Sequence, residues 1–158
     1  MGEEKSSPFF KMKTIYIIKL NREDFINLVG NKKSTGYSYY EIKNKPHKIF
    51  IKNSKSKEVF KRTLEHELSH IFLRTLDLKN KINKKEFKEV LKDINFRDYN
   101  KKVYDTSFKL REEYLADFIS YVIFGSKFEK KYIKTNYPKN YKIVKQEEKK
   151  FNPKLTYI

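Results

Sequence analysis

Hydrophobic and polar positions change period several times along the chain, and each change marks an element. Thr14-Ile15-Tyr16-Ile17-Ile18-Lys19-Leu20 is β-branched and aromatic, which predicts a strand. Asn21 then offers an N-cap, Asp24 an acidic first turn and Gly30 a stop, so a short helix is expected through Leu28. After a polar stretch, Tyr37 to Ile42 and His47 to Lys52 read as two strands of a hairpin joined by Lys43-Asn44-Lys45-Pro46. From Lys57 to Leu76 the spacing becomes helical, with Leu64, Leu68, Ile71 and Phe72 forming an apolar stripe. Asn83-x-x-Glu86 has the form of a capping box and opens a further helix whose stripe is Phe87, Val90, Leu91 and Ile94. Asn95 to Asp105 predicts a loop, and Phe108 to Phe124 a long helix ending at Gly125. The tail after Lys127 is basic, with one more amphipathic helix expected from Pro138 to Lys150. Residues 1–12 read as a flexible leader. Residues 13–158 read as a single α+β domain in which a small mixed sheet backs onto the 57–76 helix.

A chain of 158 residues is long enough for one real core. The absence of cysteine excludes disulfides and thiolate metal sites, and it fits a reducing cytoplasm. No apolar run approaches the length of a membrane span. The net charge of +17, from 37 basic and 20 acidic residues, raises the question of a nucleic-acid partner. The lysines are scattered, however, and arginine, the side chain suited to bidentate recognition, is scarce. A solvated surface with weak, non-specific nucleic-acid binding is the expectation that follows.

The chemistry concentrates in one string. Two of the three histidines flank a glutamate in His66-Glu67-Leu68-Ser69-His70, the spacing H-E-x-x-H. On a helix, residues i and i+4 share a face, so both imidazoles can reach one zinc ion, with Glu67 beside it as general base. The stripe of Leu64, Leu68, Ile71 and Phe72 lies roughly opposite the histidines. The helix is therefore expected to face a core on one side and a cleft on the other.

A catalytic zinc takes three protein ligands. No histidine follows His70, and His47 lies in the hairpin before the motif. The third ligand is expected to be a downstream carboxylate, with Glu113 the candidate in Arg111-Glu112-Glu113-Tyr114-Leu115-Ala116-Asp117. Asp117 shares the Glu113 face and could accept the outer N–H of a ligating imidazole. Ala116 and Ser120 are small enough to allow close helix approach, while Leu115, Phe118 and Val122 point the other way. Glu112 is expected to be dispensable. The competing reading makes Glu112, Glu113 and Asp117 a solvated acidic face.

His66-Glu67-x-x-His70 followed by Glu113-x-x-x-Asp117 resembles the gluzincin class of zinc metallopeptidases. Within it, Gly36 to Ile51, Arg62-Thr63-Leu64 and Glu113-Tyr-Leu-Ala-Asp117 resemble the ImmA/IrrE family of phages and mobile elements. The separation of His70 from Glu113, and the aromatic helix around Glu113, resemble the catalytic-domain group of anthrax lethal factor. Either resemblance implies a zincin-like fold, one zinc per chain, hydrolysis of a protein or peptide substrate, and a tyrosine that stabilises the oxyanion. Tyr104 lies roughly where the lethal factor group carries such a tyrosine, with Tyr99 the alternative. The rival class is a basic nucleic-acid-binding protein, or a zinc-bearing interaction module without hydrolytic activity.

Overall fold

The computed structural model describes residues 14–30, 34–39, 47–54, 56–93 and 107–158, the side chains of 107–110 excepted. The expected leader, the 43–46 turn, Tyr99 and Tyr104 lie outside the described residues. Among those described, the elements run β1 (Thr14–Leu20), α1 (Arg22–Val29), β2 (Gly36–Tyr39), β3 (His47–Lys52), α2 (Lys57–Thr75), α3 (Leu78–Lys81), α4 (Lys84–Lys92), α5 (Ser107–Phe124), α6 (Lys127–Asn136), α7 (Pro138–Glu148) and β4 (Lys154–Tyr157). The architecture is α+β, and the chain divides into two compact units, Met1–Ile71 with Lys149–Ile158, and Phe72–Glu148.

Alternation in two isoleucine-rich strands organises the first unit. Ile15 and Ile17 of β1 and Ile49 and Ile51 of β3 are all but fully buried, as period-2 strands with one core face require. The sheet is mixed, in the order β2-β3-β1-β4. β1 runs parallel to β3 and to β4, while β2 and β3 form an antiparallel pair. Gly36 lies opposite Ile51 and Ser38 opposite Ile49, so both small residues stand on the isoleucine face. Tyr37 and Tyr39 take the other face and are exposed. α1 forms as expected: the Asn21 side chain accepts from the Asp24 N–H at 2.8 Å, and Gly30 closes the helix at φ 78°, where a Cβ would be strained.

β4 and α6 were not foreseen. β4 adds to the open edge of β1, with Leu155 beside Ile15 and Tyr157 beside Ile17. α6 opens with a full capping box: Glu129 N–H donates to Ser126 Oγ at 3.1 Å, and Ser126 N–H donates to the Glu129 carboxylate at 2.8 Å.

The second unit is helical. Its core takes Leu76 and Leu78, Phe87 and Val90 of α4, Leu115, Phe118 and Val122 of α5, Ile133 of α6 and Val144 of α7. Tyr114, Ala116 and Ile119 are buried as well, so α5 is enclosed over more of its circumference than one stripe predicts.

Polar staples join these helices. Asn83 caps α4 through its side chain, which accepts from the Glu86 N–H at 2.8 Å. The expected return bond from Glu86 to Asn83 is replaced. Glu86 instead accepts from the Asn140 and Lys139 N–H groups at 2.7 and 3.1 Å, placing a carboxylate on the first-turn amides of α7, which have no partner within the helix. Asn83 N–H donates to Asn140 Oδ1 at 2.6 Å, and Asn140 Nδ2 donates to the Asn83 carbonyl at 3.1 Å. At the far end of α4, the hydroxyls of Tyr132 and Tyr137 both donate to Asp93. Burial, reinforced by Asp93, holds the Tyr137 phenol far above its ordinary pKa, so it remains a donor.

Asn140 is 1% exposed, and its amide closes two bonds to the Asn83 backbone. Asn140→Ala leaves the N–H and carbonyl of half-buried Asn83 without these partners, which should cost about 1–2 kcal/mol, read as a lower urea midpoint at unchanged slope.

Candidate metal centre

Helix α2 carries the motif without interruption, and four-residue spacing brings the two imidazoles together. His66 Nε2 and His70 Nε2 are 3.1 Å apart, with the rings edge to face at 83°. Two imidazole nitrogens bound tetrahedrally at about 2.0–2.1 Å from zinc stand about 3.3 Å apart, so the pair has nearly the bite such an ion needs. The same separation also suits a single N–H···N bond when one ring is protonated at Nε2.

His66, His70 and Glu113 form a group whose ligand atoms all lie within 4.8 Å of one another and which could hold a metal ion. The donor set fits zinc: two imidazoles and one carboxylate, with no thiolate, is a three-ligand set that leaves a fourth position open. His70 is buried, while His66 and Glu113 are half-buried. Asp117 follows Glu113 by one turn of α5 and is half-buried too.

Glu67 is 7% exposed. Its partner comes from β2. Ser38 Oγ is 2.7 Å from Glu67 Oε2, to which it donates, and 3.1 Å from the Glu67 carbonyl oxygen. The strand lies unusually close to the helix here. A Cβ on Gly36 would come within 2.5 Å of Thr63 Cγ2 and 3.0 Å of Glu67 Cγ, so only glycine fits. Thr63 Oγ1 also meets Thr35 Oγ1 at 3.1 Å, a second tie between this part of the chain and α2.

The histidine side of α2 is largely enclosed: every residue from Glu67 to Leu73 is buried, including Glu67, Ser69 and His70, while His66 is half-buried. An apolar stripe reports the greasiest face of a helix and does not exclude burial of the rest. Glu112 was expected to be idle. Its Oε1 instead accepts from Arg74 Nε at 3.0 Å and Nη2 at 2.9 Å, and its side chain is only 13% exposed. Position alone could not reveal a partner so distant in sequence. His47 begins β3, beside Ile15, and does not belong to the metal group.

Sequence reasoning gave no role to Ser38, and Gly36 and Thr63 entered it only through the family resemblance. One signal was present: Gly36-Tyr37-Ser38-Tyr39 alternates small and large residues, which puts two small side chains on one strand face. Such a face suits close approach by another element. Comparison of the chain with family models, curated proteins and solved structures finds no match.

The tight approach of β2 to α2 makes Gly36 a sensitive position. Gly36→Ala forces a methyl group into Thr63 and Glu67 and should destabilise the fold by about 1–3 kcal/mol. Gly36→Ala with Thr63→Ser, which removes the nearest methyl, should recover part of that loss in thermal melts.

Proposed function

We propose that the chain is a zinc-dependent metallopeptidase of gluzincin type, hydrolysing peptide bonds of a protein substrate. The observation that carries this reading is the grouping of His66, His70 and Glu113 beside a buried Glu67. In this reading those three residues hold the ion, and Asp117 fixes the orientation of a ligating imidazole. When bound, zinc supplies a Lewis acid that acidifies water and polarises a carbonyl oxygen. Glu67 takes the proton of the attacking water and then delivers it to the leaving amine. A neutral donor for the developing oxyanion is assigned to Tyr104.

An end strand of the sheet supports a peptide substrate. β2 stands at one end of the strand order, beside β3, and contacts the motif helix. An extended peptide added along its outer rim would run past Glu67, the β-augmentation mode of recognition. No helix among the described residues is long and apolar enough to cross a membrane. The cysteine-free composition fits work in a reducing cytoplasm, and the resemblance to the ImmA/IrrE family implies a bacterium or a mobile element within one.

The purified protein should hold about one zinc per chain, and His66→Ala or His70→Ala should abolish that load in native mass spectrometry. Glu67→Gln should keep both zinc and fold while peptide-library cleavage falls by about 10²–10⁴. Equal metal load in wild type and both histidine variants would remove the assigned site. Zinc binding with no wild-type cleavage that depends on Glu67 would leave an interaction module in its place.

A further inference from the structure

We infer that Ser38 is a positioning residue for Glu67, fixing which carboxylate oxygen faces the reacting water; this rests on the proposed metallopeptidase reading. The pairing register puts Ser38 on the core face of β2, opposite Ile49. Its hydroxyl is 2.7 Å from Glu67 Oε2, a charge-assisted bond when the carboxylate is ionised. Among the described residues Ser38 is the hydrogen-bond donor to this carboxylate.

The terminal torsion of a glutamate is broad and roughly two-fold, so packing alone does not fix the carboxylate plane. A donor on Oε2 does fix it, and directs Oε1 elsewhere. A general base must lie within about 2.6–3.2 Å of the oxygen whose proton it takes, so rotation of this plane changes its reach directly. A simple tie between strand and helix would be a different role. That role is already served nearby by the Thr35–Thr63 hydroxyl contact and by the close fit at Gly36. The bond from Ser38 is the one aimed at the carboxylate.

The test uses zinc-loaded full-length protein with acetohydroxamic acid as the probe. A hydroxamate chelates zinc through its oxygens and offers a proton to a carboxylate beside the ion, so its affinity reports where Glu67 points. By calorimetry, Ser38→Ala should weaken binding about tenfold with unchanged zinc content, roughly the loss of one well-placed charge-assisted bond. Ser38→Thr should restore most of the affinity. Ser38→Val, which has the shape of threonine without its hydroxyl, should not, and this pair still reads the effect if the alanine variant is poorly folded.

In a Glu67→Gln background Ser38→Ala should add little further loss. Wild-type affinity in Ser38→Ala or Ser38→Val, or an equal loss in the Glu67→Gln background, would overturn the role of Ser38 and leave the metal centre standing. Failure of the wild type to bind zinc at all would overturn both.

Discussion

A helix that buries a carboxylate must give back the hydrogen bonds that water supplied, because an unpaired buried charge is costly. In α2 this constraint falls on Glu67, and the repayment comes from Ser38 on the neighbouring strand. Much of the local architecture follows from that requirement. The strand must come close enough for a serine hydroxyl to reach, which leaves no room for a side chain at Gly36. It must present Ser38 toward the helix, which the antiparallel register with β3 ensures by pairing Ser38 with the buried Ile49. The isoleucine face of the sheet and the polar contact are therefore two consequences of one register. A slip by one residue would turn Tyr37 or Tyr39 toward α2 and remove both.

The second unit solves the same problem by other means. Its helices meet through polar groups whose partners lie on different elements: Glu86 on the first amides of α7, Asn140 on the backbone of Asn83, Asp93 on two tyrosine hydroxyls. Arg74, in the last turn of α2, pairs with Glu112 on α5. Glu112 and Glu113 thus have separate uses. One forms an ion pair at the end of the motif helix, and the next belongs to the candidate metal group. Neighbouring carboxylates on a helix are about 100° apart, so adjacent residues can serve different partners.

The elements that were legible in the sequence carry their cause locally. Thr14–Leu20 is a strand because its residues are β-branched, and α1 begins and ends where Asn21 and Gly30 place its caps. The motif helix and its i, i+4 histidines were equally plain. What escaped depended on partners far along the chain. β4 is a four-residue strand, Lys154–Tyr157, whose pairing with β1 spans nearly the whole sequence. The capping box at Asn83 was half right, since a tertiary partner at Asn140 claims the Glu86 carboxylate. Ser38 showed only as a small residue between two tyrosines, and nothing in that pattern names Glu67. α6 is a different case. Its capping box at Ser126 and Glu129 is local, but the lysine-rich segment it opens carries a weaker apolar stripe than α4.

As proposed, His66, His70 and Glu113 share one ion. Anomalous diffraction at the zinc edge, on crystals of the zinc-loaded protein, tests this directly. One strong peak is expected about 2.0–2.2 Å from both histidine Nε2 atoms and from a Glu113 oxygen. A peak bound elsewhere, or no peak beside His66 and His70, would contradict it.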